Sequence, residues 1–262
     1  MLLKDKVALI TGAGSGIGRG VAERFAAEGA KLTLVDMNEA GLRETADLVK
    51  KAGSESISVT ADVSVTAEVE GFFGKTVEHY GRVDIAVNNA GIGNPFATLV
   101  DMTDEGFDRT IAVNLRGVFL CMRAAGRQMI KQGGGGRIIS VASQAGKSGF
   151  AFLAPYCATK AGVILMTRAM AKEVGAHKIN VNCVCPGTID TPILRTPLEP
   201  MLKASGQTLE QFALNSPGMP PIPLGRIGYP KDVANVITFL AGPDADYMTG
   251  QAINISGGQE MH

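Results

Sequence analysis

Short apolar runs and longer amphipathic stretches alternate along this chain almost from end to end. The runs at 6–11 (KVALIT) and 31–35 have no polar position in alternation, which is how a strand buried on both faces reads. Runs at 56–61, 83–87, 137–142, 178–184 and 251–255 read as further strands. Between them, 19–30, 38–52, 66–80, 101–132, a stretch opening near Pro155, and 231–241 carry helical spacing. Strands alternating with helices predict an α/β fold, a doubly wound parallel sheet three layers deep (α/β/α). No linker, repeat or low-complexity tract divides the 262 residues, so a single domain is expected over 1–262.

One segment breaks the alternation. Eight of the twelve prolines fall between Pro192 and Pro230, with one short helical patch at 209–214. A long Pro-rich excursion in a compact domain reads as a cover over a binding site, here 190–225. A structural excursion or a subunit contact is the plainer alternative.

The polar residues cluster where the strands end. The first strand runs into TGAGSGIG at 11–18 and then a helix. Strand, glycine turn and helix in that order predict dinucleotide binding, with Gly12, Ser15, Gly16, Ile17 and Gly18 at the phosphates. Glycines let the backbone approach a pyrophosphate, and the helix start offers free N–H groups. The second strand ends at Asp36, 18 residues past Gly18, where an acid can meet the adenosine ribose hydroxyls. Asp36 repels a 2′-phosphate, and neither Met37 nor Ser15 supplies a cation for one, so NAD is expected rather than NADP. Capping the helix that starts near Asn38 is a compatible role for Asp36. The next two strands end in Asp62-Val63 and in NNAG at 88–91. Asp62 can accept a hydrogen bond from an adenine amine. In a doubly wound sheet ligands lie outside the carboxyl ends of strands, where all these groups fall.

The stretch 143–160, SQAGKSGFAFLAPYCATK, follows the strand at 137–142. Tyr156 and Lys160 stand four apart, one turn on a common helix face. An ammonium beside a phenol favours the phenolate and lowers a Tyr pKa that is otherwise about 10. Tyr156 is then a candidate proton-transfer group, and Ser143 can hydrogen-bond the same oxygens. An ordinary amphipathic helix start would place the same pair. Asn114 interrupts the long helical stretch at 101–132; by itself it reads as an exposed position.

Charge changes little. With 25 basic and 25 acidic residues the formal net charge is zero, which speaks against nucleic acid or an anionic membrane as partner. No apolar run approaches a membrane span, and MLLKDKVALIT runs into a strand with no leader pattern, so a cytoplasmic location is expected. Four cysteines suit a reducing compartment; Cys183 and Cys185 share a strand face and are poorly placed for a disulfide. The three histidines are scattered, so no metal site is expected.

Taken together and in order, TGAGSGIG, Asp62-Val63, NNAG, Asn114, Ser143, Tyr156-x-x-x-Lys160 and Pro186-Gly187 resemble the short-chain dehydrogenase/reductase family over essentially the whole chain. The resemblance implies a single Rossmann-like domain that assembles as a homotetramer. It implies Tyr156 as general acid/base, Lys160 on the nicotinamide ribose lowering the Tyr156 pKa, Ser143 orienting the substrate oxygen, and Asn114 supporting a water that links Lys160 to solvent. That last role overturns the exposed reading of Asn114. It implies that Asn89, Ala90 and Gly91 border the cofactor, and that Ile189 and Thr191, after Pro186-Gly187, contact the carboxamide. SQAGKSG and the ending YMTGQAINISGGQ are similar to bacterial sorbitol- and galactitol-type polyol dehydrogenases; Gln144 and Lys147 can hydrogen-bond substrate hydroxyls, and read equally well as plain turn residues. Ser256 departs from the Asp that many members carry before the last Gly-Gly. The expectation is an NAD-dependent oxidoreductase acting on a secondary alcohol or ketone, a polyol or sugar. A 3-oxoacyl-[acyl-carrier-protein] reductase and a non-catalytic NAD(H)-binding protein are the alternatives.

Overall fold

The computed structural model describes residues 1–215 and 221–262. Seven strands form one parallel sheet in the order β3-β2-β1-β4-β5-β6-β7: β1 Val7–Thr11, β2 Lys31–Asp36, β3 Ser56–Thr60, β4 Ile85–Asn88, β5 Gly136–Val141, β6 Ile179–Pro186 and β7 Ala252–Ile255. The order reverses between β1 and β4, so the carboxyl ends of these two strands border the crevice where a doubly wound sheet takes its ligand.

Side chains on each strand alternate between two cores. Ala8 and Ile10 of β1 join Phe25 of α1 (Gly16–Ala27), Leu42 of α2 (Glu39–Lys51) and Ile237 of a late helix on one face. Leu9 joins Phe72 of α3 (Thr66–Tyr80) and helices described next on the other. Burial on both faces is why these strands read as unbroken apolar runs.

The stretch at 101–132, expected as one helix, is three pieces. Helix α4 (Asp104–Ile111) leads into a π-helical stretch, Ala112–Gly117, and then α5 (Val118–Gln132). Such wide turns often mark functional positions. Here the turn holds Asn114, which is fully buried with its side-chain amide bound to a neighbouring loop. Helix α6 (Ala154–Val174) carries Tyr156 in its first turn, with Pro155 where no N–H is required.

The Pro-rich segment is more ordered than its composition suggests. Pro192 opens α7 (Pro192–Ser205), which runs through Pro197 and Pro200, and α8 (Leu209–Asn215) follows. Leu194, Leu198 and Leu202 stand four apart and pack on Leu209, Ala213, Ile222 and Ile227, a separate small core. That stripe outweighs the hydrogen bonds the two inner prolines remove. Residues 216–220 of the expected cover lie outside the described residues. Helix α9 (Pro230–Ala241) returns the chain to the sheet.

Candidate active site

The glycine turn is held from several sides. Asp36 accepts the Gly14 N–H through one carboxylate oxygen and the Asn38 N–H through the other, both at 2.9 Å. Asn38, not Asp36, caps α2, accepting the Gly41 N–H. Asn89 donates its side-chain amide to the carbonyls of Thr11 and Gly12, and the Thr11 hydroxyl accepts the N–H groups of Asn89 and Ala90. Two glycines are required by space: a Cβ on Gly18 would stand 2.1 Å from the Gly12 carbonyl oxygen, and one on Gly12 2.6 Å from the Asn89 amide nitrogen. Arg19, which nothing in the sequence singled out, ties this turn to α2 by donating to the Gly14 carbonyl, Thr45 and Glu44.

The start of α1 suits an anion. Ser15 makes no side-chain cap, and the first turn carries no acid, so the leading N–H groups keep their bonding capacity. The methyl carbon of Thr191 lies 3.4 Å from where a Gly16 Cβ would be, which brings the 188–191 loop over the turn. Ile189 pairs with Gly228, and Gly187 is packed by Ser256 and Gln259. Ile17 packs partly into the core, and Met37 is exposed.

Two residues expected at the cofactor, Asp62 at the adenine and Val63 beside it in sequence, are largely spent inside the protein. One Asp62 oxygen accepts from the N–H and hydroxyl of Ser64, and the other faces Arg109 at 3.3 Å. Partial burial raises the Asp62 carboxyl, but the Ser64 hydrogen bonds and the Arg109 charge outweigh it and hold it below its ordinary value. The Val63 side chain turns into the core against Gly117.

Ser143, Tyr156, Lys160, Asn114 and Gly91 meet beside the end of β5. Ser143 Oγ accepts the Ala145 N–H at 3.1 Å and lies near enough to the Tyr156 hydroxyl to favour its ionised form. Lys160, 4% exposed, donates to the Val141 carbonyl at 2.8 Å, and its Nζ lies 5.5 Å from the Tyr156 ring centroid. A Cβ on Gly91 would stand 3.2 Å from Asn114 Oδ1 and 3.7 Å from Lys160 Nζ. Burial raises the Tyr156 hydroxyl above its ordinary value, and Ser143 opposes this. The expected lowering of Tyr156 by Lys160 does not prevail. The ammonium sits over the ring face, and burial drops its own pKa to about 8 against the small opposing effect of Cys185 and Cys183. Asn114 spends both ends of its amide on Ile92, accepting its N–H and donating to its carbonyl at 2.8 Å each. Its side chain therefore clamps the loop after β4.

Of the two expected substrate contacts, Gln144 keeps a buried Oε1 with no hydrogen-bond partner, whereas Lys147 is turned away to the Ala252 carbonyl. The end of the chain braces this region. Ser148 donates to the buried Glu260 carboxylate, and Ser256 both accepts from the Glu260 N–H and donates to its carbonyl. Cys183 and Cys185 lie side by side as free, buried thiols.

Two cavities flank the Asp190–Arg195 ion pair, and neither is lined by Ser143, Tyr156 or Lys160. The larger, about 630 Å³, lies between α7, α8 and Tyr229; the smaller, about 360 Å³, lies between Gly16, Arg19 and Pro192. Among the described residues no helix is long and apolar enough to cross a membrane, and no group of three or more His, Cys, Asp or Glu side chains could hold a metal ion.

Known proteins match this arrangement along its whole length. The family model described as enoyl-(acyl carrier protein) reductase matches residues 12–260. A short-chain dehydrogenase/reductase of Armillaria gallica is 43% identical, over 97% of this chain and 96% of the relative. A sorbitol dehydrogenase of Cereibacter sphaeroides and a galactitol 2-dehydrogenase of Agrobacterium fabrum are 36% and 37% identical, each over 100% of both chains. Among solved structures, levodione reductase superposes with a TM-score of 0.91 at 37% identity, covering 98% of both chains. An actinorhodin polyketide ketoreductase solved with NADPH superposes with 0.90 at 35%, also covering 98% of both.

Proposed function

From the premise that this chain belongs to the short-chain dehydrogenase/reductase family of oxidoreductases, we propose that it interconverts a secondary alcohol and a ketone with NAD(H), Tyr156 carrying the proton. The observation that carries this is the Ser143–Tyr156–Lys160 cluster at the mouth of a glycine-walled cradle. The uncapped start of α1 fits a pyrophosphate, and the bound nicotinamide would supply the hydride acceptor or donor.

The residues divide the remaining work. Ser143, whose oxygen already accepts from Ala145, keeps its own proton to donate toward a substrate oxygen. Tyr156, with Ser143 beside its hydroxyl, takes or gives the hydroxyl proton. Lys160 supplies positive charge that favours the phenolate as the proton leaves, working against the burial that raises it.

NAD rather than NADP is supported at Asp36, whose carboxylate is fixed on the glycine turn where it repels a 2′-phosphate. The nearby Arg19 is paired with Glu44 and committed to the turn and α2. A polyol or sugar is the substrate class the sorbitol and galactitol relatives support, with Gln144 Oε1 as an acceptor for a hydroxyl. Assembly as a homotetramer in the cytoplasm rests on the family. It is consistent with apolar residues left exposed on helices, such as Phe119 and Phe239, and is checked by light scattering.

The decisive experiment is Tyr156→Phe, read by absorbance of reduced nicotinamide and by cofactor titration. Turnover falls by about a hundredfold or more while NADH affinity changes little. Substantial residual turnover sinks the proton role.

A further inference from the structure

We infer that the outer half of the substrate site is built for a flat apolar ring, so that the preferred substrate is a secondary alcohol or ketone on an aromatic or alicyclic body and not an acyclic polyol. The inference rests on the Tyr156 reaction and departs from the polyol class, which likeness to the sorbitol and galactitol relatives alone supports.

The loop after β4 sets out the geometry. It leaves the Lys160 and Asn114 cluster at Gly91. Gly93, two residues on, lies with its Cβ direction 4.0 Å from the side chain of Ile193 at the start of α7. Asn94 donates to the Phe152 carbonyl at 3.0 Å. Phe152 stands four residues before Tyr156, and its ring stacks on that of Phe96 with centroids 4.7 Å apart and planes 26° from parallel. The loop thus carries the chain from the reacting end of the site to an apolar rim made of Phe96, Phe152 and Ile193.

Three observations say that this rim awaits an occupant. Phe96 is 76% exposed, Phe152 43% and Ile193 48%; the two rings touch, Ile193 flanks the connecting loop at Gly93, and the protein's own cores leave all three uncovered. Phe152 holds a φ of 66°, a conformation a bulky residue adopts only when its surroundings impose it. Asn94, whose amide nitrogen fixes that backbone, leaves its Oδ1 buried without a partner, as does Gln144. Polar capacity lies at Ser143 and Gln144 on the inner side and at Asn94 behind the rings, while the ring faces themselves offer only hydrocarbon.

That division fits one class of ligand better than the other. A substrate with a single oxygen function inside and a ring outside matches both ends, since aromatic faces at the rim offer stacking surface. An acyclic polyol carries a hydroxyl on every carbon. Two unpartnered acceptors serve two of them, and those laid against Phe96, Phe152 and Ile193 lose water with nothing in return.

The test separates binding from turnover. Tyr156→Phe enzyme loaded with NAD is titrated by calorimetry with 1-phenylethanol, 2-butanol and sorbitol. We expect 1-phenylethanol to bind about tenfold or more tightly than the other two. Adding Phe96→Ala and Phe152→Gly should remove most of that margin; glycine tolerates the positive φ, so this variant keeps the local backbone. Sorbitol binding as tightly as 1-phenylethanol, or a margin that survives both substitutions, overturns the ring site. In wild-type enzyme, failure of all three alcohols to reduce NAD would count against the reaction reading, while the titration still decides the ring site by itself.

Discussion

The cofactor side and the substrate side of this crevice are built on opposite principles. Around 12–18 and 88–91 most side-chain polar groups are answered from within the chain, Asn88 Oδ1 excepted: Asp36 by Gly14 and Asn38, Asn89 by Thr11 and Gly12, and the adjoining Arg19 by Gly14, Thr45 and Glu44. Around 92–96 and 144–153 acceptors on Asn94 and Gln144 are buried and unanswered, and phenylalanines stand exposed. A ligand shared by the whole family meets side chains already braced, with the leading N–H groups of α1 left open to it. A ligand particular to one member meets unfinished polar and apolar groups that it must complete itself.

The sharpest way to break that contrast is to add one methyl group to each side. Gly18→Ala drives a Cβ to within 2.1 Å of the Gly12 carbonyl oxygen, whereas Gly149 has nothing within 4 Å of its Cβ position. Gly18→Ala should cost about 2–3 kcal/mol and most of the NADH affinity; Gly149→Ala should stay within about 0.5 kcal/mol. Urea midpoints and cofactor titrations that moved equally for both would erase the distinction.

Lys160 sits where the two sides join, and its burial is a cost the fold carries for chemistry. Its pKa falls from 10.5 to about 8 in the folded chain, so between those values the unfolded chain holds more protons and stability rises with pH. The penalty is complete below pH 8 and gone above the ordinary value. Lys160→Met should therefore be more stable than wild type at pH 7, by on the order of 1–3 kcal/mol, with the gap closing as pH rises through that window. Its turnover should be lost throughout. A gap that does not vary with pH would mean the ammonium is adequately solvated where it stands.

Asp36 tests how finished the cofactor side is. Asp36→Ala with Met37→Arg removes two hydrogen bonds from the turn as well as the repulsion of a 2′-phosphate. The NADP-to-NAD ratio of kcat/KM should rise about tenfold or more, with about 1–2 kcal/mol lost in stability. Weaker use of both cofactors in equal measure would make Asp36 a brace for the turn alone.

This asymmetry also decided what the sequence disclosed. Glycines 12–18, Asp36, Asn89 and the Tyr156–Lys160 spacing lie at strand ends and on one helix turn, where local pattern and position in space coincide. Asn114 was visible as an odd helical residue, but its clamp on Ile92 joins positions 22 apart and depends on a π-turn that periodicity does not encode. Helix α7 was concealed by Pro197 and Pro200, though the Leu194, Leu198, Leu202 stripe marked it. The Ser148–Glu260 brace spans 112 residues and left no local trace. Lys147 reads as a substrate contact because it follows Ser143 and Gln144 closely; its partner on β7 is 105 residues away.

The smallest expected effect falls on the outer edge of the cofactor side, at Asp62. One of its oxygens is taken by Ser64, and the other faces a half-exposed Arg109. Asp62→Asn keeps an acceptor for Ser64 and removes the charge. An ion pair this open to water contributes little, so stability at pH 7 should fall by less than about 1 kcal/mol. The folded chain holds the Asp62 carboxyl below its ordinary value, so that contribution exists above the ordinary carboxylate pKa and disappears as pH falls through the folded one. Wild type and variant should converge in acid. Cofactor affinity is the more telling readout. If the oxygen facing Arg109 also accepts from the adenine amine, Asp62→Asn should weaken NADH binding about three- to tenfold. Arg109→Gln, which frees the same oxygen, should not weaken it. An unchanged NADH affinity in Asp62→Asn would place this carboxylate with the scaffold and move the edge of the cofactor surface inward to Asp36.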